Sequence, residues 1–262
     1  SDTEMARIYL VFSPDGSDEP ESALKIFKKP VPSDKAQQDF LDAIQAAAKI
    51  QHPGFIRYLE AGLHDGRCYY VAEYLDRLNL AKRISQKAPF HEAECLEIVR
   101  HIGAALSYAL NSYKMFHRNL KPSNVLYRKD GTTAIADYGL ATWESVNLAD
   151  CVSIASPWYI SPEQILGKRI GWSCDMYSLG IMLFQMLTGV LPFHSTVEEE
   201  LLGLHMDVPL PAPEERNPNV RISPDTVDIL KTMTAKSPTA RYADWAEFLQ
   251  AVDGAIALLK AS

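Results

Sequence analysis

The sequence predicts an α+β fold of two unequal lobes, a small β-rich lobe with one helix over residues 1–75 and a larger, mostly helical lobe over 76–262. Two observations predict it. Strand-like runs separated by turn residues fill the first part of the chain, and beyond "EYLD" (73–76) apolar residues recur at helical spacing instead. A hydrophobic content of 47% is ample for a buried core.

In order, "IYLVF" (8–12) and "ALKIF" (23–27) read as strands joined by the turn-rich "SPDGSDEPES". "DFLDAIQAAAKI" then places Phe40, Ile44, Ala47 and Ala48 on one helical face. "GFIRYLEAG" and "CYYVAEYL" are two further strands, joined across "LHDG", where Asp-Gly signals a hairpin. Residues 92–113 carry Leu96, Val99, Gly103, Leu106 and Leu110 at helical spacing. A second Asp-Gly hairpin, "VLYRKDGTTAIAD", covers 125–137. "CDMYSLGIMLFQMLTG" (174–189) is apolar almost all round, as a helix at the centre of a lobe must be. Helical patterns return at 224–235 and 243–259.

Several function classes are disfavoured. A net charge of −7 argues against nucleic acid or an anionic membrane surface as partner. Cys68, Cys95, Cys151 and Cys174 form no C-x-x-C pair and read as reduced, buried thiols. No apolar run approaches the roughly 18 residues of a membrane span, and no signal-peptide pattern opens the chain. The expectation is a cytoplasmic domain, or the intracellular part of a longer membrane-linked protein. There is no P-loop and no G-x-S-x-G, and His91-Glu92-Ala93-Glu94-Cys95 fails H-E-x-x-H at its last ligand.

The remaining motifs fall in a fixed order. His117-Arg118-Asn119-Leu120-Lys121-Pro122-Ser123-Asn124 is followed thirteen residues on by Asp137-Tyr138-Gly139, then by Ser161-Pro162-Glu163 and by Cys174-Asp175-Met176-Tyr177-Ser178-Leu179-Gly180. Upstream lies Ser22-Ala23-Leu24-Lys25, downstream Arg241 in "SPTARY", and His52-Pro53 and Glu73-Tyr74 sit between. This series resembles the eukaryotic-type protein kinases, and within them the bacterial Ser/Thr kinases, whose motifs are V-A-I-K, H-R-D-x-x-x-x-N, D-F-G and A-P-E. The resemblance covers nearly the whole chain and implies the two-lobed protein-kinase-like fold. It also implies a pairing of Arg241 with Glu163.

Three departures stand against the activity that the resemblance implies. Asn119 replaces the family's catalytic aspartate, and an amide cannot take up a proton near neutral pH. General-base assistance is typically worth about 3–5 kcal/mol of barrier. Ser1, Thr3 and Ala6 stand where the phosphate loop has three glycines, and Asp2 and Glu4 bring negative charge there. Ala43 stands where the family's helix carries the glutamate that holds the strand lysine; Asp42 next door points about 100° away. Lys25, without that partner, is free to pair with Asp137 and close the nucleotide site.

Other parts are kept. The resemblance implies that Asn124 and Asp137 are magnesium ligands, hard oxygen donors as that ion prefers. It gives Lys25 and Lys121 phosphate contacts, makes Ile8, Ala23 and Leu126 plates around adenine, and has the Glu73–Leu75 backbone offer hinge hydrogen bonds. Ala72 occupies the gatekeeper position, leaving a back pocket open unless a large neighbour fills it. Arg118 and the hydroxyls of Thr142, Ser145, Ser153 and Ser156 correspond to the family's phospho-switch. The expectation is a pseudokinase: a regulatory, protein-binding module with weak or no binding of ATP and Mg²⁺, whose partner is an active kinase or another signalling protein. The alternatives are a slow Ser/Thr kinase and a pseudokinase that senses ATP.

Overall fold

The computed structural model describes residues 6–12, 20–31, 33–75, 78–140, 157–167 and 171–261. Ser1, Asp2, Thr3, Glu4, Cys151 and the switch hydroxyls Thr142, Ser145, Ser153 and Ser156 lie outside them.

Strands β1 (Ala6–Phe12), β2 (Pro20–Phe27), β3 (Tyr58–His64) and β4 (Arg67–Glu73) form an antiparallel sheet in the order β1-β2-β4-β3. Asp65 and Gly66 turn β3 into β4 at φ +49° and +70°, the left-handed pair that a two-residue hairpin turn requires. The strand expected from residue 54 starts only at Tyr58. Residues 54–56 dock elsewhere: Ile135 N–H donates to Gly54 O at 2.8 Å and Ile56 N–H to Ile135 O at 3.1 Å. They tie the sheet to the second hairpin, built from β5 (Val125–Tyr127) and β6 (Thr133–Ile135).

Helix α1 (Asp34–Ala48) covers one face of the sheet. Ser33 caps it, its Oγ accepting from Ala36 N–H at 3.2 Å. Ala36, Phe40, Ile44 and Ala47 are buried, with the Phe40 ring edge-on to Phe27 at 5.7 Å. Ala48, expected on that face, is exposed, because one residue past Ala47 rotates a side chain about 100° around the helix.

The second lobe contains α2 (Leu80–Lys87), α3 (Glu92–Tyr113), α4 (Ser173–Thr188), α5 (Glu198–Asp207), α6 (Pro224–Met233) and α7 (Trp245–Ala261). Of the sixteen residues of α4, all but Ser173 and Gln185 are buried. Glycines set two close helix crossings. A Cβ on Gly180 would lie 2.7 Å from Thr234 Cγ2, beyond the end of α6, and one on Gly103 would lie 2.6 Å from the Phe248 ring on α7. Any larger residue at either position forces the helices apart, an overpacking cost of typically 1–3 kcal/mol. The architecture is the expected two-lobed α+β class. No helix among the described residues is long and apolar enough to cross a membrane.

Candidate functional site

The loop from His117 to Asn124 is held from below by one buried carboxylate. Asp175 on α4 accepts from His117 N–H at 2.7 Å and from Arg118 N–H at 2.6 Å. Arg118 adopts φ +65°, which presents both amides to the same carboxylate. Burial pushes the Asp175 carboxyl up to about 7, against the pull of those two donors. Burial also pushes the His117 imidazole down to about 4; its Nε2 lies 3.0 Å from Ala136 O. A neutral imidazole with Nε2 protonated fits that carbonyl. His117, Tyr138 and Phe55 stack edge to face, with centroid distances of 5.6 and 4.7 Å, so the aromatic side chain of Asp137-Tyr138-Gly139 is locked into the core. Burial raises the Tyr138 hydroxyl, which has no hydrogen-bond partner among the described residues.

Asn119 and Lys121 lie on this loop, both half-buried. Asn119 N–H faces His117 Nδ1 at 3.3 Å, and Asn119 O accepts from Asn124 Nδ2 at 3.1 Å. Asn124 N–H donates to Lys121 O at 2.9 Å, and Asn124 O accepts from Ala136 N–H at 2.8 Å. The last bond sets Asn124 beside the start of the Asp137 segment. The loop is therefore fully assembled around the amide that stands at the base position.

Asp137 sits at φ +58° and its carboxylate is engaged from the sheet. Lys25 Nζ is 2.7 Å from both Oδ1 and Oδ2, with side-chain exposures of 13% for Lys25 and 15% for Asp137. Tyr70 Oη donates to Oδ1 at 2.6 Å. Burial pushes the Asp137 carboxyl up, but Lys25 and the Tyr70 hydroxyl outweigh it and hold it below its ordinary value. The register explains the convergence: Ile8, Lys25 and Tyr70 are direct partners across β1, β2 and β4, so they share one face.

The next row places Leu10, Ala23, Ala72 and Tyr58 in register. Ile8 and Ala23 are half-buried on the same face of the sheet, while Leu126 and Leu75 pack against the core that contains Ala72. Ala72 is 2% exposed, and its large neighbours Tyr58 and Tyr70 form an edge-to-face pair at 5.1 Å. Glu73 ends β4 one residue past that row, in register with Ser22. Its carboxylate is clamped by Arg128, whose Nη2 and Nη1 reach Oε1 and Oε2 at 2.9 and 3.3 Å. Arg128 also donates to Pro53 O and Phe55 O, each at 3.0 Å.

Helix α1 sends no acid into this cleft among the described contacts. Asp42 Oδ1 accepts from Gln38 Nε2 at 2.8 Å on the exposed side, and Ala43 is half-buried with its carbonyl toward Gly139. Ala6, at the third glycine position, is fully buried and paired with Phe27. Away from the cleft, Arg241 pairs with Glu163 through Nη1–Oε1 at 2.7 Å and Nη2–Oε2 at 2.9 Å, as the motif series implies.

The donor types fit a magnesium nucleotide: an amide oxygen at Asn124, a carboxylate at Asp137 and an ammonium at Lys25. In this arrangement the carboxylate and the ammonium satisfy each other. Tyr70 and Arg128 escaped the sequence reading. Strand alternation alone makes one of the adjacent Tyr69 and Tyr70 face the cleft; the register with Lys25 decides which.

Residues 5–252 match the family model for the protein kinase domain. The chain is 32% identical over 241 residues to the serine/threonine-protein kinase PrkC of Bacillus subtilis, covering 91% of this chain and 36% of that protein. It is 32% identical over 206 residues to the probable serine/threonine-protein kinase PknB of Lactococcus lactis, covering 78% and 32%. Against the serine/threonine-protein kinase ATG1a of Arabidopsis thaliana it is 32% identical over 229 residues, covering 84% and 36%. The chain thus spans about a third of the length of these curated relatives. With its motifs in the family's order on the family's two-lobed scaffold, the chain belongs to the protein kinase family.

Proposed function

We propose that this domain is a pseudokinase, a regulatory module that binds a protein partner and transfers phosphate poorly or not at all. The observation that carries the reading is Asn119 in a loop whose other supports are intact. His117, Arg118 and Asn124 all make the contacts that shape the loop, so the amide of Asn119 occupies the base position of an otherwise ordered loop. Hydroxyl attack on a phosphoryl group leaves a proton to be accepted, and an amide accepts none. The Lys25–Asp137 contact adds to this, since phosphates and metal must part that pair before they meet either side chain.

Nucleotide binding is accordingly weak, with Lys25, Asn124 and Asp137 as the groups that would hold ATP and Mg²⁺ and Ile8, Ala23, Leu126 and the Glu73–Leu75 backbone around the base. Magnesium, when bound, would neutralise phosphate charge; Lys121 and Asn124 would keep their positions on the loop. The module acts on the cytoplasmic side, as part of a longer signalling protein, and an active kinase or other signalling protein is its partner. The buried, unpaired thiols of Cys68, Cys95 and Cys174 accord with a reducing compartment.

The test is a thermal-shift titration with ATP, with and without Mg²⁺, followed by transfer of labelled phosphate. The reading expects a small shift and background incorporation. Incorporation that Asp137→Ala abolishes would establish the second reading, a slow Ser/Thr kinase, whose motivation is that Lys25, Lys121, Asn124 and Asp137 are all retained.

A further inference from the structure

In the cleft, where α1 brings no carboxylate to Lys25 among the described contacts, the Tyr70 hydroxyl meets Asp137. We propose that Tyr70 is the positioning residue of this site: its hydroxyl holds Asp137 against Lys25 and selectively opposes the metal-dependent part of nucleotide binding. The inference deepens the pseudokinase reading and rests on it.

Three observations support the assignment. The Tyr70 ring is 5% exposed and braced edge-on by Tyr58 at 5.1 Å, so packing sets where its hydroxyl points. That hydroxyl donates to Asp137 Oδ1 at 2.6 Å, the same oxygen that Lys25 reaches at 2.7 Å. A carboxylate oxygen offers about two lone-pair positions, so Oδ1 is saturated, while Oδ2 carries Lys25 alone among the described contacts. Finally, α1 offers no replacement, because Asp42 and Asp39 bond to Gln38 and Lys35 on the exposed side of their own helix.

The consequence is asymmetric. A nucleotide phosphate can draw Lys25 away and compensate it in kind. A cation arriving at Oδ1 must displace a neutral donor that gains nothing from the phosphates, and one held through Oδ2 meets a carboxylate whose charge is already drawn toward the Tyr70 hydroxyl. Tyr70 therefore penalises metal more than nucleotide.

The experiment titrates the domain with N-methylanthraniloyl-ATP, in MgCl2 and in EDTA, and reads the ratio of the two dissociation constants. Wild type should give a ratio near one. Tyr70→Phe keeps the ring and removes the hydroxyl; Mg²⁺ should then tighten binding roughly 10- to 100-fold, the fold-change of one hydrogen bond to a charged group, with affinity in EDTA little changed. Tyr70→Met, which removes the hydroxyl on a different side chain, should give the same gain. An unchanged ratio in both variants overturns the proposal, as does a loss of affinity in EDTA equal to that in Mg²⁺, which would mark Tyr70 as scaffold. The failures are separable. Phosphate transfer by wild type at the rates of active kinases would end the pseudokinase reading, whereas an unchanged ratio ends only the role of Tyr70.

Discussion

Two ion pairs bracket the catalytic loop, and they differ in kind. Arg241 and Glu163 join two segments of the helical lobe, with side chains 0% and 5% exposed. The guanidinium also donates to Ser173 O and Ala235 O, at 2.8 and 2.9 Å, so its charge is met on several sides. Lys25 and Asp137 join the two lobes, keep 13% and 15% exposure, and rely on Tyr70 for their remaining bond. The first pair matches the motif pattern of the family; the second forms where the pattern's own partner, a glutamate at position 43, is absent. The comparison teaches that the scaffold keeps the family's pairing inside the helical lobe while the cleft pairs its lysine with a different carboxylate.

The comparison can be broken from its stronger side. Glu163→Gln leaves a buried guanidinium without its counter-charge and should cost about 3–5 kcal/mol in urea unfolding. Asp175→Asn should cost less, about 1–3 kcal/mol, because one of two backbone donors loses its acceptor.

That variant also changes the pH profile. His117 has its folded value lowered from 6.5 to about 4, so it contributes stability above pH 6.5 that is lost as pH falls toward 4. Asp175 is raised from 3.8 to about 7, so its contribution is present below 3.8 and is lost as pH rises through 7. In wild type the two oppose each other between pH 4 and 6.5. In Asp175→Asn only the histidine remains, and melting temperature should fall more steeply on acidification than in wild type. Parallel melting curves from pH 7 to 4.5 would refute the opposition.

The cleft should be more tolerant. Asp137→Asn keeps an acceptor for Tyr70 and Lys25 and suits a left-handed backbone, so the cost should be about 1–3 kcal/mol by the same unfolding measurement, below that of Glu163→Gln. Smallest of all, Asn119→Asp should change stability by less than about 0.5 kcal/mol. It should leave labelled-phosphate incorporation near background, since Lys25 still faces Asp137 and not a helix glutamate. Incorporation that rises to the rate of an active kinase would show that the cleft had lost only its base.

Much of the fold was legible because its signals are local. Asp65-Gly66 marked its hairpin, and the apolar run at 174–189 lies within one residue of α4. Helices α2 and α5 were not read. Each buries only two side chains, Leu80 and Ile84 or Leu201 and His205, too few to establish a period. In the site, Asn119, Asn124, Asp137 and Lys25 announced themselves through motif spacing. Tyr70 and Arg128 did not, because their partners lie 67 and 55 residues away and are chosen by strand register and docking.

Arg128 has a consequence of its own. Planted at the end of β5, it grips the Glu73 side chain and two carbonyls of the segment leading into β3. Flexing the chain between the lobes would shear all of these bonds at once, so the guanidinium works as a rivet across the joint. A displacement of the hairpin therefore pulls on β4 and on the approach to β3 through one side chain.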